Sequence, residues 1–504
     1  MDAGEQLKED LREGRTDANR LVDLLVVQQR QLQAVQQQLQ AALQRIAELE
    51  KQLPDTTTKV AEPFSMRAEE KRQEASGKKK KKDKRKGRRG RITTAEKLAK
   101  AERSEDVYPD GVDPSACRLS HARPVWRFEK GRAVLIAYQI YRGPKNQYGK
   151  IPGVLGRSEF GLEIVVTIAF LVYIVGLSFD KVCLVLNFFQ TLKLEKSQAD
   201  AVLNQLARHW KNEFETLCTL LANSLVVHAD ETSWSLNSVW AFLSEKARLV
   251  FFGVHKDAET LKAILDSATF AGIVISDDAA VYANFTAAQK CWAHLLRKAI
   301  KLTLVEPNNQ EYRRFTDRLL EIYRTAVRVQ RDGRLSDAGR TRKVAELDDE
   351  ILALCGAMWA ADLPPLEGPD NDYRLLVNEV MRLMVAQQLF TFVTAKPVEQ
   401  PNGETQQAGA TNNEAERTLR KPAEARKTGR TSKTLAGARR QTIVTSVLQS
   451  LRLYLTTFTL GSVLAEIQRW VEKGRSCFTE LLEKLKLQRP KHSVLDRVLP
   501  QPSG

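Results

Sequence analysis

Leu225-Val-Val-His-Ala-Asp230 is the stretch on which the fold turns. It is a short apolar run that stops on a carboxylate, and at its start the hydropathy changes from a helical period to a strand-like one. Ser238-Val-Trp-Ala-Phe-Leu-Ser244 and Arg248-Leu-Val-Phe-Phe-Gly-Val254 follow at turn-length separations, which predicts three sequential strands in an antiparallel meander. A helix from about Asp257 to Ala268 carries Leu261, Ile264 and Leu265 as its buried stripe. Gly272-Ile-Val-Ile-Ser-Asp277 is then a strand without charge until its last residue, the pattern of a strand buried on both faces. A fifth short strand, Gln289 to His294, leads into another helix.

Strand, strand, strand, helix, strand, with Asp230 and Asp277 closing the first and fourth strands, is the order of an RNase H-like α/β domain. Side chains alternate along a strand, so Asp230 shares a face with Val226 and His228 that excludes Glu231, and Asp277 shares one with Ile273 and Ile275 that excludes Asp278. A third acid lies in Thr411-Asn-Asn-Glu-Ala-Glu-Arg-Thr-Leu-Arg420. On a helix Asn413, Glu416, Arg417 and Arg420 share one face and Glu414 points away, so Glu416 is the candidate. Taken singly, a strand-end Asp is a turn or cap residue and a Glu/Arg helix is a solvated face. Together the three form a hard-oxygen set for Mg²⁺, with Mn²⁺ as a substitute. Two such ions about 3.5–4 Å apart can activate a water or a 3′-hydroxyl and stabilise the leaving oxygen of a phosphodiester.

The 504 residues include 78 Lys and Arg against 62 Asp and Glu, a formal charge of +16 that points to a polyanionic partner, double-stranded DNA before others. Arg417, Arg420, Lys421, Arg426, Lys427, Arg430, Lys433, Arg439 and Arg440 follow the third acid with only Glu424 against them, and are predicted to hold the phosphate backbone. Six scattered cysteines without C-x-x-C fit a reducing cytoplasm, and the apolar run Ile164 to Leu177 is too short to span a membrane. No G-x-x-x-x-G-K-[ST] occurs, so ATP use is not indicated. Cys291-x-x-His294 supplies two metal ligands where zinc needs three or four, so it reads as half a zinc site or as a buried Cys with an orienting or DNA-contacting His.

Outward from this core, residues 1–53 carry a heptad of Leu25, Leu32, Leu39, Ile46 and Leu53, read as a coiled coil that oligomerises the chain, or else as one amphipathic helix folded onto the body. Residues 54–94 read as a disordered basic linker containing Lys78 to Arg91, and 95–155 as a small β-containing module. Residues 156–222 hold three helical stretches, Ser158 to Val175, Ser178 to Phe189 and Ser197 to Trp210, forming either a helix-turn-helix unit or a plain bundle. The catalytic region is expected over 223–304 and 406–458, separated by an all-helical insertion over 305–405; a C-terminal helix and a frayed tail fill 459–504.

His228-Ala-Asp-Glu-Thr232, Val274-Ile-Ser-Asp277, Cys291-Trp-Ala-His-Leu-Leu-Arg297, Asn412 to Arg420, Arg426-Lys-Thr-Gly and Gly437-Ala-Arg resemble the ordered blocks of the insertion-sequence sixty-six family of bacterial transposases. The resemblance implies a DDE transposase in which Asp230, Asp277 and Glu416 bind Mg²⁺, acting on element ends and target DNA, with or without accessory proteins. The separations of 47 and 139 residues between successive acids suit that layout. The sequence departs from the family in two places. Cys117 is the lone cysteine where family members often carry a zinc-binding module, which makes 95–155 a degenerate version, and Asp278 stands where Gly is usual.

Overall fold

The computed structural model describes residues 92–359, 367–490 and 492–500. The expected coiled coil and nearly all of the basic linker lie outside them. The described chain opens with helix α1 (Thr94–Ala99), whose start is fixed by reciprocal Thr93 and Glu96 capping bonds. Strands β1 (Arg103–Val107), β2 (Arg118–Glu129) and β3 (Arg132–Arg142) then form a sheet in the order β1-β3-β2. The helical region that follows contains α2 (Leu162–Ala169), which continues as a π turn to Val175, then α3 (Phe179–Gln190), capped by Ser178 as expected. The next helix, α4 (Lys196–Ala222), runs twelve residues past the predicted Trp210 and is capped by Glu195 and Gln198 rather than by Ser197. The apolar run from Ile164 is mostly buried to Ala169 and half-buried beyond, with Val175 exposed, and no helix among the described residues is long and apolar enough to cross a membrane.

The central sheet is built from β4 (Val226–Ser233), β5 (Ser238–Ser244), β6 (Arg248–Val254), β7 (Ile273–Ser276) and β8 (Ala288–Lys290), with α5 (Ala258–Ile264) between β6 and β7. Its order is β6-β5-β4-β7-β8, antiparallel within the meander and parallel from β4 outward. The predicted fifth strand ends early: Cys291 is the cap of α6 (Trp292–Val305), so His294 lies on that helix's first turn. Helices α7 (Gln310–Arg331), α8 (Asp337–Cys355), α9 (Gly368–Val385) and α10 (Thr391–Thr394) follow, with the predicted stripe of Phe315, Leu319, Ile322 and Ala326 fully buried. A two-residue pairing of β9 (Val398–Glu399) with β10 (Thr405–Gln406) returns the chain to α11 (Asn413–Lys427) and α12 (Leu435–Leu451).

Strand alternation divides the core. Val227, Ala229, Trp240, Phe242, Leu249, Phe251 and Val274 pack on the side of α2, α4 and α12. Val226 and Ile275 face the insertion helices, and Val239, Ala241, Val250 and Phe252 face Leu419 of α11. The free edge of β6 is covered by α12 through hydroxyls spaced one helical turn apart. Backbone N–H groups of Phe252, Val250 and Arg248 donate to Thr442 Oγ1, Ser446 Oγ and Ser450 Oγ at 3.0, 3.0 and 2.9 Å. Every second strand residue thus meets every fourth helix residue, which satisfies donors an edge strand would otherwise present to another chain. Gly253, with φ of +79°, ends this approach, where a Cβ would lie 3.1 Å from that of Ala438.

At the C-terminus the single predicted helix is two, α13 (Leu460–Lys473) and α14 (Cys477–Lys484), divided at Gly474 with φ of +69°. The predicted frayed tail holds α15 (Val494–Val498) instead. Glu215 of α4 accepts from Ser493 Oγ and from the backbone N–H of Val494 and Leu495, so a carboxylate sits at a helix start where the dipole favours it. Ser446→Ala leaves the Val250 N–H buried without its acceptor and is expected to lower stability by about 1–3 kcal/mol, read from the urea midpoint. Ser446→Thr, which keeps the hydroxyl, is expected to lose less.

Candidate active site

Strands β4 and β7 pair in parallel with Val226 opposite Ile273, Val227 opposite Val274 and His228 opposite Ile275. That constant offset carries Asp230 and Asp277 to the same level, Asp277 one residue past the end of β7 and Asp230 within β4, which continues to Ser233 rather than closing on the aspartate as expected; neighbouring strands lie about 4.8 Å apart. The neighbouring acids Glu231 and Asp278 pair elsewhere. Glu231 points to the opposite face, where it pairs with Lys256 at 2.8 Å and accepts from Tyr282 Oη. Asp278 pairs with Arg382 of α9, and its φ is not positive, so the turn there does not require Gly.

Asp277 is fixed from behind. Its carboxylate accepts from the Ala279 N–H at 3.1 Å, and its carbonyl accepts from Lys290 Nζ at 3.0 Å and Ser276 Oγ at 2.8 Å. Lys290 is buried, and its ammonium lies 5.7 Å from the centre of the Tyr282 ring. Sequence reasoning missed this lysine, because one Lys at a strand end carries no signal until the neighbouring turn is placed.

Glu416 arrives on the first turn of α11, and the residue that positions this turn is Asn412, not Asn413, which the sequence placed on the face of Glu416. Asn413 is exposed. Asn412 is fully buried; its Nδ2 donates to the Ala229 carbonyl at 2.8 Å, and its backbone N–H donates to Cys291 Sγ at 3.2 Å. The third acid's helix is thereby bonded both to the strand residue preceding Asp230 and to the start of α6. Trp292 N–H adds a bond to Ala410 O at 3.1 Å, and Gly409 lets this segment pass His228, whose Cε1 would lie 3.1 Å from a Cβ there. Glu416 accepts from Arg297 Nη2 at 3.1 and 3.0 Å, and its Oε1 is 3.8 Å from His294 Nε2. Cys291 Sγ, a His294 ring nitrogen and a Glu416 oxygen all lie within 4.8 Å of one another. Glu414 points away and pairs with Arg248 at 2.6 Å.

The predicted basic set divides. Arg417, Arg420, Lys421, Arg426, Lys427, Arg430 and Lys433 are exposed. Lys421 Nζ and Arg430 Nη1 donate to the carbonyls of Ile174 and Gly176, closing the end of the α2 π turn, and Arg426 Nη1 donates to Ser233 O. Arg439 is buried, bonded to the Leu499 carbonyl and Asp496; Arg440 is bonded to Tyr173 Oη at 2.7 Å and to Asp200. These two cations are consumed inside the fold, where a charge must be paired, and are not available to a phosphate backbone as the sequence suggested.

Electrostatics single out Asp230. Its carboxyl is pushed up to about 7, chiefly by burial, then by the charge of Glu231, with Asp277 and Glu416 adding to it. Among the described residues, the Asp230 and Asp277 carboxylates accept hydrogen bonds from backbone N–H groups only. A carboxyl whose folded pKa lies above its unfolded value of 3.8 loses stability as pH rises between the two, and the loss is complete above 7. Asp230→Asn is therefore expected to stabilise the protein in EDTA at pH 8 by on the order of 3 kcal/mol. The gain should vanish as pH falls toward 4 in urea titrations, and equal stability at pH 8 would remove the strained carboxylate.

With this geometry in place the chain can be compared with known proteins. Residues 157–440 match the family described as Transposase IS66 family, a span that includes the central sheet, the insertion and α11. No curated protein matches the chain. With more than half of its length in that match, the chain belongs to the IS66 family of transposases.

Proposed function

We propose that the chain is a DDE transposase that cuts DNA at the ends of its own element and joins the freed 3′-hydroxyl to target DNA, with Asp230, Asp277 and Glu416 as its catalytic acids. The observation that carries this reading is the placement of Asp230 in β4 level with Asp277, just past the end of the adjacent parallel β7, beside a helix start that Asn412 bonds to β4. The sheet order β6-β5-β4-β7-β8, which is 3-2-1-4-5 in order of appearance, supports an RNase H-like core.

The donor types suit Mg²⁺: three carboxylates, hard oxygens, of which Asp230 is raised chiefly by burial and then by neighbouring charge until a cation compensates it. When bound, such ions would activate the attacking oxygen and neutralise charge on the leaving one. The chain's own residues prepare the place. Lys290 and Ser276 hold the Asp277 backbone, Lys256 draws Glu231 to the far face, and Asn412 fixes the approach of Glu416. Arg417, Arg420, Lys421, Arg426, Lys427, Arg430 and Lys433, exposed along and just beyond α11, are the cations left to hold the phosphodiester backbone.

Labelled candidate element ends incubated with Mg²⁺ are expected to give cleaved and strand-transferred products that EDTA abolishes. Asp230→Asn and Glu416→Gln should each lower cleavage by on the order of 10³-fold while leaving DNA affinity within about twofold of the parent. Glu414→Gln should retain cleavage. Cleavage without joining would assign the site to a nuclease instead, and DNA binding without cleavage to a non-catalytic transposase derivative.

A further inference from the structure

We infer that Cys291, His294 and Glu416 form a binding site for a thiophilic divalent cation, with Zn²⁺ as the ion it fits, and that filling it withdraws Glu416 from Asp230 and Asp277. The second half rests on the proposed catalytic reading, and the first does not. Sequence spacing supplies two of the ligands, since a helix cap and the residue three positions on lie side by side on the first turn. The third comes from the helix start that Asn412 fixes, 125 residues after Cys291.

The geometry is close to what zinc requires. Four-coordinate Zn²⁺ with bonds of about 2.0–2.3 Å separates neighbouring ligand atoms by roughly 3.3–3.6 Å. Here Nε2 of His294 and Oε1 of Glu416 are 3.8 Å apart, and the three ligand atoms lie within 4.8 Å of one another, so side-chain rotation suffices to close the set. The Asn412 N–H that points at Cys291 Sγ is the kind of donor that stabilises a metal-bound sulfur, and it comes from the segment that also places Glu416. Nδ1 of His294 is buried with no protein partner among the described residues, so no hydrogen bond there restrains the ring from turning toward an ion.

The present neutraliser of Glu416 is replaceable. Arg297 donates to both carboxylate oxygens, but its side chain is 54% exposed and can swing into water when a cation takes its place. One sulfur, one imidazole and one carboxylate make a set that favours zinc over Mg²⁺, whereas Asp230 and Asp277 offer only hard oxygen. Glu416 thus stands between a soft site and a hard one, and the ion that holds it decides whether the carboxylate set is complete.

Titrating the metal-free full chain with Co²⁺ is expected to produce a near-ultraviolet sulfur-to-cobalt absorption that saturates at one equivalent and is bleached by Zn²⁺. Cys291→Ser should lose the band although the other five cysteines remain, His294→Ala should weaken cobalt binding at least about tenfold, and Arg297→Ala should tighten it. No band in the parent, or the same band in Cys291→Ser, overturns the site. In the Mg²⁺ cleavage assay one equivalent of Zn²⁺ should inhibit the parent and leave the rate of Cys291→Ser at its own zinc-free value. A normal band with cleavage indifferent to zinc overturns the switch. A normal band with no cleavage under any condition refutes the catalytic reading and leaves the metal site standing.

Discussion

The buried amide of Asn412 is the constraint on which the rest depends. Returning the start of α11 to β4, 183 residues after Ala229, is inexpensive as loop closure, because the entropy of closing a loop grows only with the logarithm of its length, about 0.6 kcal/mol per doubling. Orientation is the harder requirement, and a helix start that merely lies nearby would present Glu416 at an uncontrolled angle. The bonds from Asn412 to Ala229 O and Cys291 Sγ, with Trp292 N–H to Ala410 O beside them, fix that angle from three directions. The insertion can therefore be long and helical without loosening the site it interrupts.

A second constraint is the disposal of charge. The chain is strongly basic, yet several of the cations after Glu416 serve the fold. Lys421 and Arg430 close a π turn 247 and 254 residues upstream, and Arg439 and Arg440 join α12 to α15, Asp200 and Tyr173. A guanidinium has five donors and no acceptor, which suits it to gathering carbonyls and a carboxylate from different segments. Net charge states what kind of partner a protein meets; only burial states which cations meet it.

Much of the core was legible in the sequence because it rests on local rules. The three meander strands, the charge-free fourth strand, the opposite faces taken by Asp230 and Glu231, and the buried stripe from Phe315 to Ala326 follow from periods of two and of 3.6. What escaped reading was set by distant partners. Asn412 and Asn413 are chemically identical neighbours, and only the approach of β4 chooses between them. The spacing of Thr442, Ser446 and Ser450 is visible in sequence, but it acquires meaning only against an uncovered strand edge. The tail after Gln488 looked frayed because the carboxylate that caps α15 is Glu215, on α4. Cys291 was placed on a strand by apolar neighbours that prove to begin a helix.

The pairing of acids around the site explains why Asp230 and Asp277 stand out. Glu231 has Lys256, Asp278 has Arg382, Glu414 has Arg248 and Glu416 has Arg297; two of these four cations come from helices of the insertion side, α6 and α9. Each pairing draws a neighbouring carboxylate into its own direction and reduces the number of charges competing at the strand ends. The two aspartates are left with backbone N–H donors, which orient a carboxylate without neutralising it. At Asp230 burial then makes that uncompensated charge costly, and the cost is what a bound cation would relieve. The surrounding ion pairs thus divide the acids: Glu231, Asp278, Glu414 and Glu416 each face a cation, and Asp230 and Asp277 share one level of β4 and β7 with backbone donors alone.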